Sequence, residues 1–485
     1  MSESVLPNFI DGAWVPSTGT TRLDVRNPAT NALLAQVPLS TASDVDRAVQ
    51  AAQKAFPAWR ETPPVQRARY LFKFRALLDK HADEIARICT SEHGKTFAES
   101  RNDIGRGIEN VEHACGTPSL LMGQTLEDVA HGIDCEAVRQ PMGVFAAIAP
   151  FNFPPMVPLW FLPYAIATGN TFILKPSEQV PLSQKRIFEL LADTGLPAGV
   201  VNLVNGGKEV VDALCTNPGI VGVSFVGSTP VARHVYSLAS QHGKRVQSLG
   251  GAKNYLVVMP DAVMPKSIQN VSDSIYGCAG QRCLAGSIVI GVGDAYEKVR
   301  DGLVAAAKAI VVGDGTQPGV TMGPVISARH KDKVLSYIQK GVEEGAKLLL
   351  DGRTLKLGGE LEKGNFLGPT VFEGVRPEMT IVKEEIFGPV VSLMRAKDLN
   401  EAIEQLNSTE FANAASIYTS SGKSAREFKY RAHPAMLGVN IGVAAPMSMF
   451  PFGGSKQSFF GDVKAHGSAG VDFYTDKKVV IQRWF

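Results

Sequence analysis

From Gly143 onward, short β-branched apolar runs alternate with amphipathic stretches. Val144–Ile148 and residues 171–174, 200–204, 222–226 and 245–249 read as short strands. Between them, 182–194 and 230–240 place apolar residues at helical spacing. Strand–helix alternation of this kind builds parallel sheet through right-handed crossovers. The alternation resumes after Gly251, with 255–259, 287–291 and 309–312 as strands. Residues 267–277, 296–307, 328–345, 399–406 and 424–431 are the accompanying helices. Two α/β domains follow, with a boundary near Gly250-Gly251. Most of the chain before them is helical, since 43–56 and 66–92 both repeat apolar positions every 3.6 residues.

Length agrees with that division, because 485 residues exceed what one hydrophobic core serves. A net charge of +2 leaves no excess of Lys and Arg for a nucleic-acid surface. Residues 140–174 lack any formal charge and are long enough to suggest a membrane span. They carry Pro150, Pro154, Pro155, Pro158 and Pro163, however, and lipid cannot replace the donors these remove. A buried strand, a Pro-rich turn and a core helix are expected there, with no membrane segment. Residues 1–7 show neither the basic start nor the apolar run of a signal peptide. The six cysteines are scattered without a Cys-x-x-Cys pair, as in reduced, cytoplasmic proteins. The nine histidines show no metal-ligand spacing, so no metal is expected.

The run Tyr276-Gly277-Cys278-Ala279-Gly280-Gln281-Arg282-Cys283 carries the sharpest chemical signal. A lone cysteine is more often a small buried hydrophobe than a nucleophile. Here Gly280 permits a sharp turn, Arg282 adds a positive charge that favours thiolate, and a strand follows at once. Cys283 is therefore the expected nucleophile, and Cys278, without such a charged neighbour, is expected to be structural. Asn152, fenced by Pro150 and Pro154 after an apolar strand, is either a turn cap or a rigid amide donor for an oxyanion. The latter role is worth about 3–4 kcal/mol of barrier. Lys175 and Glu178 follow another strand and suit the vicinal hydroxyls of a ribose, the alternative being a solvated loop pair. Glu178 would repel a 2′-phosphate, which favours NAD over NADP. Gly227-Ser228 opens a helix whose first amides offer an anion site, although a Gly-x-Gly-x-x-Gly fingerprint is absent. Glu385 and Phe387, two residues apart, would share one face of a strand and hold a nicotinamide ribose. Two acidic residues in a loop are the alternative there.

Taken together, the order Asn152, Lys175-x-x-Glu178, Gly227-Ser228, Gly250-Gly251, Cys283 and Glu385-Ile386-Phe387-Gly388-Pro389 resembles the aldehyde dehydrogenase superfamily. The likeness runs from Phe9-Ile10-Asp11-Gly12 to the C-terminus. It implies an α/β fold with a Rossmann-like NAD domain (1–118 and 142–251) and an α/β catalytic domain (252–462). It also implies a small oligomerisation arm (119–141 and 463–485) whose last strand is 479–484, and hence a homo-oligomer, dimer or homotetramer. Catalytic Cys283 and Asn152 are carried over, with cofactor contacts at Phe151, Lys175, Glu178, Gly227, Ser228, Leu249, Glu385 and Phe387.

One position departs from the superfamily. Hydrolytic members place a glutamate before Leu-Gly-Gly to activate water; here Ser248 stands before Leu249-Gly250-Gly251, and serine accepts no proton near neutral pH. Gly251-Ala252-Lys253-Asn254, Gly280-Gln281-Arg282-Cys283, the run from Asn152 to Trp160, Arg106-Gly107-Ile108-Glu109-Asn110 and Asn440-Ile441-Gly442-Val443 look like the methylmalonate-semialdehyde dehydrogenase branch. Tyr255, where that branch usually has His, and Ala232, where the superfamily often has Gly, differ from it. The resemblance implies coenzyme A as acyl acceptor and malonate or methylmalonate semialdehyde as substrate. Arg106 and Arg282 would be partners for the substrate carboxylate. The alternatives are a hydrolytic dehydrogenase of another short acidic aldehyde and a non-catalytic scaffold of the same fold.

Overall fold

The computed structural model describes residues 5–485; residues 1–4, part of the stretch read above for a signal peptide, lie outside the described residues. Three sheets organise the chain. The first has eight strands, and its centre is parallel: Val201–Leu203, Thr171–Lys175, Val144–Ile148, Ile220–Val226 and Arg245–Leu249 in spatial order. A hairpin of Asn8–Ile10 and Ala13–Val15 closes one edge. Phe459–Phe460 pairs antiparallel with Arg245–Leu249 at the other, so the chain returns to this sheet late. The second sheet has seven strands, with Val390–Ala396, Gly286–Val292, Asn254–Val258 and Ala414–Tyr418 at its parallel centre. In the third, Thr475–Arg483 pairs with Ile133–Pro141, which pairs with Gln124–Ala130.

In the central strands Val144–Ile148, Thr171–Lys175 and Asn254–Val258 every residue is buried whichever way it points, as expected of parallel strands covered on both faces. The uncharged stretch 140–174 resolves into the strand Val144–Ile148, the wholly buried helix Pro158–Ala167 and the strand Thr171–Lys175. No helix among the described residues is long and apolar enough to cross a membrane.

Several elements differ from expectation. Residues 309–312 form no strand: the helix Ala295–Lys308 runs to their edge, and a single bridge joins Val312 to Met322. Val311 is half exposed, so this β-branched run has no sheet to enter. The stretch 66–92 is two helices, Pro64–Lys80 and Ala82–His93, broken at His81. Asp83 and Glu84 then occupy the first turn of the second helix, where the dipole favours acidic residues. Four short strands precede the first long helix, Ala42–Glu61, so the start of the chain is less helical than its periodicity suggests. Glu385 and Phe387 lie between the helix Thr380–Lys383 and the strand Val390–Ala396, not on a strand. Phe387 adopts φ 59°, which no strand accommodates.

Candidate active site

The C-terminal ends of the parallel strands in the first sheet converge on one cleft, as open α/β sheets require. Val144–Ile148 leads to Phe151 and Asn152, Thr171–Lys175 to Glu178, and Ile220–Val226 to Gly227 and Ser228. The cleft has a volume of about 640 Å³, and Glu385, Phe387 and His330 face these residues from the second domain. Lys175 Nζ donates to Glu178 Oε2 at 2.7 Å. Burial raises the Glu178 carboxyl, but the adjacent ammonium outweighs it and holds the group below the usual carboxylate range. Ser228 caps the helix Thr229–Gln241 without using its side chain as a cap, and Pro230 stands in the first turn. Glu385 Oε1 accepts from the Ala252 amide at 2.8 Å. A Cβ on Gly251 would run into the Glu385 carboxylate, so this approach requires glycine. Leu249 alone among the expected cofactor contacts is sunk in the core; its carbonyl accepts from the Gly227 amide at 3.1 Å.

Cys283 lines this cleft and also a second cavity of about 220 Å³ on its far side. Asn152 Nδ2 stands 3.5 Å from Cys283 Sγ and donates to the Gln281 carbonyl at 3.1 Å. The Cys283 carbonyl is held by two amides, Asn254 Nδ2 and Asn413 Nδ2, each at 2.8 Å. The backbone before it is tightly wound: Cys278, Ala279 and Gly280 all have positive φ, at 50°, 52° and 73°. Two are not glycine, a strained turn of the sort that clusters at functional sites. At Gly280 a side chain would strike the Gly388 carbonyl. Burial pushes the Cys283 thiol up to about 11, Glu385 adds to the rise, and the Asn152 amide and Lys95 oppose it.

Arg282 differs from its expected role. Its guanidinium turns away from Cys283 to Glu99 Oε1 at 3.1 Å and packs over Gly277. Its charge falls on Glu99 and on the Cys278 thiol, so Cys278 does have a charged neighbour, supplied by the fold. Glu99 also accepts from the Cys278 amide at 2.6 Å, so Glu99 and Arg282 together clamp the turn before the nucleophile. Both still line the second cavity.

That cavity is built on the helix Phe97–Cys115, whose Glu99, Asp103, Arg106 and Asn110 recur at helical spacing and all line it. Arg106 binds Glu109 Oε2 and the Pro446 carbonyl, both at 2.5 Å, and is about one-third exposed. Trp160, Phe452 and His466 pack tilted and edge-to-face as an aromatic wall. His466 is buried with both ring nitrogens unpartnered, and burial, with a smaller effect from Arg106, pushes its pKa down to about 3. Ser248 lines neither cavity; its buried hydroxyl donates to the Ala232 carbonyl at 2.8 Å. Sequence reasoning missed Lys95, Glu99, Asp103, Asn254 and Asn413. The helical spacing of Glu99, Asp103, Arg106 and Asn110 was the available signal for Glu99 and Asp103. Nothing local marks the others.

A half-buried cysteine under an asparagine amide, at the wall between a dinucleotide-sized cleft and a small cavity, is the layout of an aldehyde-oxidising site. The aldehyde dehydrogenase family model matches residues 14–480. The chain belongs to the aldehyde dehydrogenase family. It is 51% identical over 481 residues to malonate-semialdehyde dehydrogenase 1 of Geobacillus kaustophilus, covering 99% of this chain and 98% of the relative. A crystal structure of methylmalonate-semialdehyde dehydrogenase from Oceanimonas doudoroffii superposes with a TM-score of 0.97 at 45% identity, covering 99% of this chain and 98% of that one. A Sinorhizobium meliloti chain, assigned as a methylmalonate-semialdehyde dehydrogenase and complexed with NAD, gives 0.98 at 42% identity, covering 100% and 99%. Within this dehydrogenase both cavities and the cysteine between them are thus set in a shared fold.

Proposed function

We propose that this aldehyde dehydrogenase oxidises malonate or methylmalonate semialdehyde with NAD and passes the acyl group to coenzyme A, releasing acetyl-CoA or propionyl-CoA and CO2 or bicarbonate. The observation that carries the CoA-acylating reading is Ser248: it is sealed from Cys283 with its hydroxyl engaged, so no residue there activates water. Relatives 51% and 50% identical to this chain bear the malonate-semialdehyde dehydrogenase name, which supports the substrate class.

The cleft suits NAD. Glu178, held ionised by Lys175, would accept from the ribose hydroxyls and repel a 2′-phosphate. The amides opening the helix Thr229–Gln241 would hold the NAD pyrophosphate. NAD, when bound, supplies the hydride acceptor. The residues of this chain do the rest. Cys283 attacks the aldehyde carbon as thiolate, the reactive form of the side chain. The Asn152 amide, already directed at Sγ, donates to the oxyanion of the thiohemiacetal. Loss of hydride leaves a thioester on Cys283. The β-carboxylate is then lost as CO2, the thioester carbonyl taking up the electron pair as an enolate that is protonated to the acyl group. The CoA thiolate attacks the thioester carbonyl and releases Cys283.

Arg106 orients the substrate carboxylate: its partners are a half-exposed glutamate and a carbonyl, which leaves guanidinium donors for the cavity. Arg282 supports the turn and contributes charge at the cavity wall. Residues 1–118 and 142–251 serve as the NAD-binding domain, 252–462 as the catalytic domain and 119–141 with 463–485 as the oligomerisation arm of a cytoplasmic homo-oligomer. Supporting the arm, Met122, Leu126, Val479, Ile481 and Trp484 expose apolar surface on or beside the three-stranded sheet.

The reading is tested by rapid mixing of enzyme, NAD and semialdehyde. One equivalent of NADH appears without CoA, followed by a steady rate that rises with CoA and yields acyl-CoA. A missing general base slows hydrolysis by about 10²–10⁴-fold. A steady rate indifferent to CoA, with free acid as product, overturns the proposal in favour of the hydrolytic alternative.

A further inference from the structure

Beneath the Asn152 amide lies an ion pair from which solvent is excluded. Lys95 Nζ donates to Asp103 Oδ2 at 2.9 Å, and both side chains are wholly buried. The same ammonium donates to the backbone carbonyl of Asn152 at 2.6 Å and sits 4.3 Å from the centre of the Phe153 ring. Asp103 is pinned in turn: its Oδ1 accepts from the Met156 amide at 2.9 Å. One aspartate thus fixes Lys95 and the far side of the 152–156 turn together, while Lys95 holds the near side.

A buried ion pair is a poor source of stability, since removing two charges from water costs as much as their attraction returns. Its presence calls for a geometric reason, and the geometry supplies one. Asn152 has its carbonyl on Lys95 and its side-chain amide on Cys283 Sγ. Fixing the carbonyl fixes the peptide plane on which the amide is mounted. The pair also places a cation behind the nucleophile. Burial works against the Lys95 charge, but Asp103 together with the neighbouring Cys278 and Cys89 outweighs it, and among the groups acting on Cys283 Lys95 favours the thiolate. Arg282, the cation adjacent in sequence, is spent on Glu99.

We propose that Lys95 and Asp103 are a positioning pair for the oxyanion donor: Lys95, clamped by Asp103, holds the Asn152 backbone so that its amide stays on the nucleophile. The proposal rests on the reading of Cys283 as nucleophile and Asn152 as oxyanion donor. Lys95 lines neither the cleft nor the second cavity, so it acts through Asn152.

The test is a double-mutant cycle on the full chain with NAD and semialdehyde, using Lys95→Met, Asn152→Ala and the pair. The readouts are the single-turnover rate of NADH formation, the NAD KM, and alkylation of Cys283 by iodoacetamide across pH. Removing an oxyanion donor costs about 10²–10³-fold, and we expect Asn152→Ala to fall there. Lys95→Met should slow single turnover by about tenfold to a hundredfold, within that donor's contribution. It should leave the NAD KM unchanged and move the alkylation profile to higher pH. The double variant should be no slower than Asn152→Ala alone. Multiplying effects, or a Lys95→Met enzyme with unchanged hydride transfer, would overturn the positioning role. An Asn152→Ala enzyme of normal rate would instead overturn the underlying oxyanion assignment. Should Lys95→Met not accumulate as folded protein, Asp103→Asn loosens the clamp while keeping the lysine. The same non-additivity with Asn152→Ala is then expected, and additivity sinks the proposal.

Discussion

The two sides of Cys283 are built on different principles. On the cofactor side, groups stand at the ends of parallel strands and come mostly from one sheet, with Lys175 and Glu178 bonded to each other and partly open to the cleft. On the substrate side, one helix supplies a stripe of charged and amide groups, the segments 153–160, 278–284 and 443–452 and His466 complete the lining, and aromatic rings form a wall. The first arrangement follows from topology, since every parallel strand delivers its next residue to the same edge. The second depends on which loops come to rest against one helix. The difference teaches that cofactor recognition is inherited from the sheet, whereas the remote end of the substrate is read by tertiary packing. Variants on the two sides should therefore separate cleanly.

The largest effect belongs to the residue shared by both. Cys283→Ala should abolish NADH formation while NAD still binds, as followed by calorimetry or protein fluorescence; turnover above a trace would contradict the nucleophile assignment. On the substrate side, Arg106→Leu should cut kcat/KM for semialdehydes bearing a carboxylate by about 1.5–3 kcal/mol, the worth of a hydrogen bond to a charged group. Propanal, which lacks the carboxylate, should be nearly unaffected. Equal losses with both substrates would mean that Arg106 holds the helix to the loop at Pro446 and does no more. On the cofactor side, Glu178→Gln should narrow the preference for NAD over NADP by about tenfold, one pK unit's worth of charge interaction. A preference that survives unchanged would place discrimination elsewhere in the cleft. The smallest change is expected from Ser248→Glu, because the serine is sealed behind Ala232. Free acid should rise only if the new carboxylate swings out to Cys283, and mass spectrometry of the products would register it.

Much of the first sheet was legible from apolar runs, because buried strands between helices leave little room for polar residues. Val144–Ile148 and Thr171–Lys175 fall where their apolar runs place them. The errors came where a local pattern had two outcomes. Residues 309–312 are β-branched enough for a strand, yet no neighbouring edge is available to them. The 66–92 periodicity continues across His81, although the helix axis does not. The spacing of Glu385 and Phe387 brings both to the cleft, but through an irregular turn with Phe387 at positive φ and not through a pleat.

What the sequence by itself determined is the inventory: which cysteine follows a glycine turn, which asparagine is fenced by prolines, which lysine and glutamate end a strand, and that serine replaces a base before Leu249. These are properties of short segments, and short segments carry them wherever they fold. What only the tertiary structure decided is the direction of charge. Arg282 is next to Cys283 in the chain, yet its guanidinium bonds to Glu99, 183 residues away in sequence. Lys95, far from Cys283 in the chain, is the cation buried behind it through the carbonyl of Asn152. Coulomb interactions act through space, and a fully extended side chain spans several ångströms in any direction. Sequence adjacency therefore says little about which charge a buried thiol will feel, and the packing of the helix Phe97–Cys115 against two loops settles it.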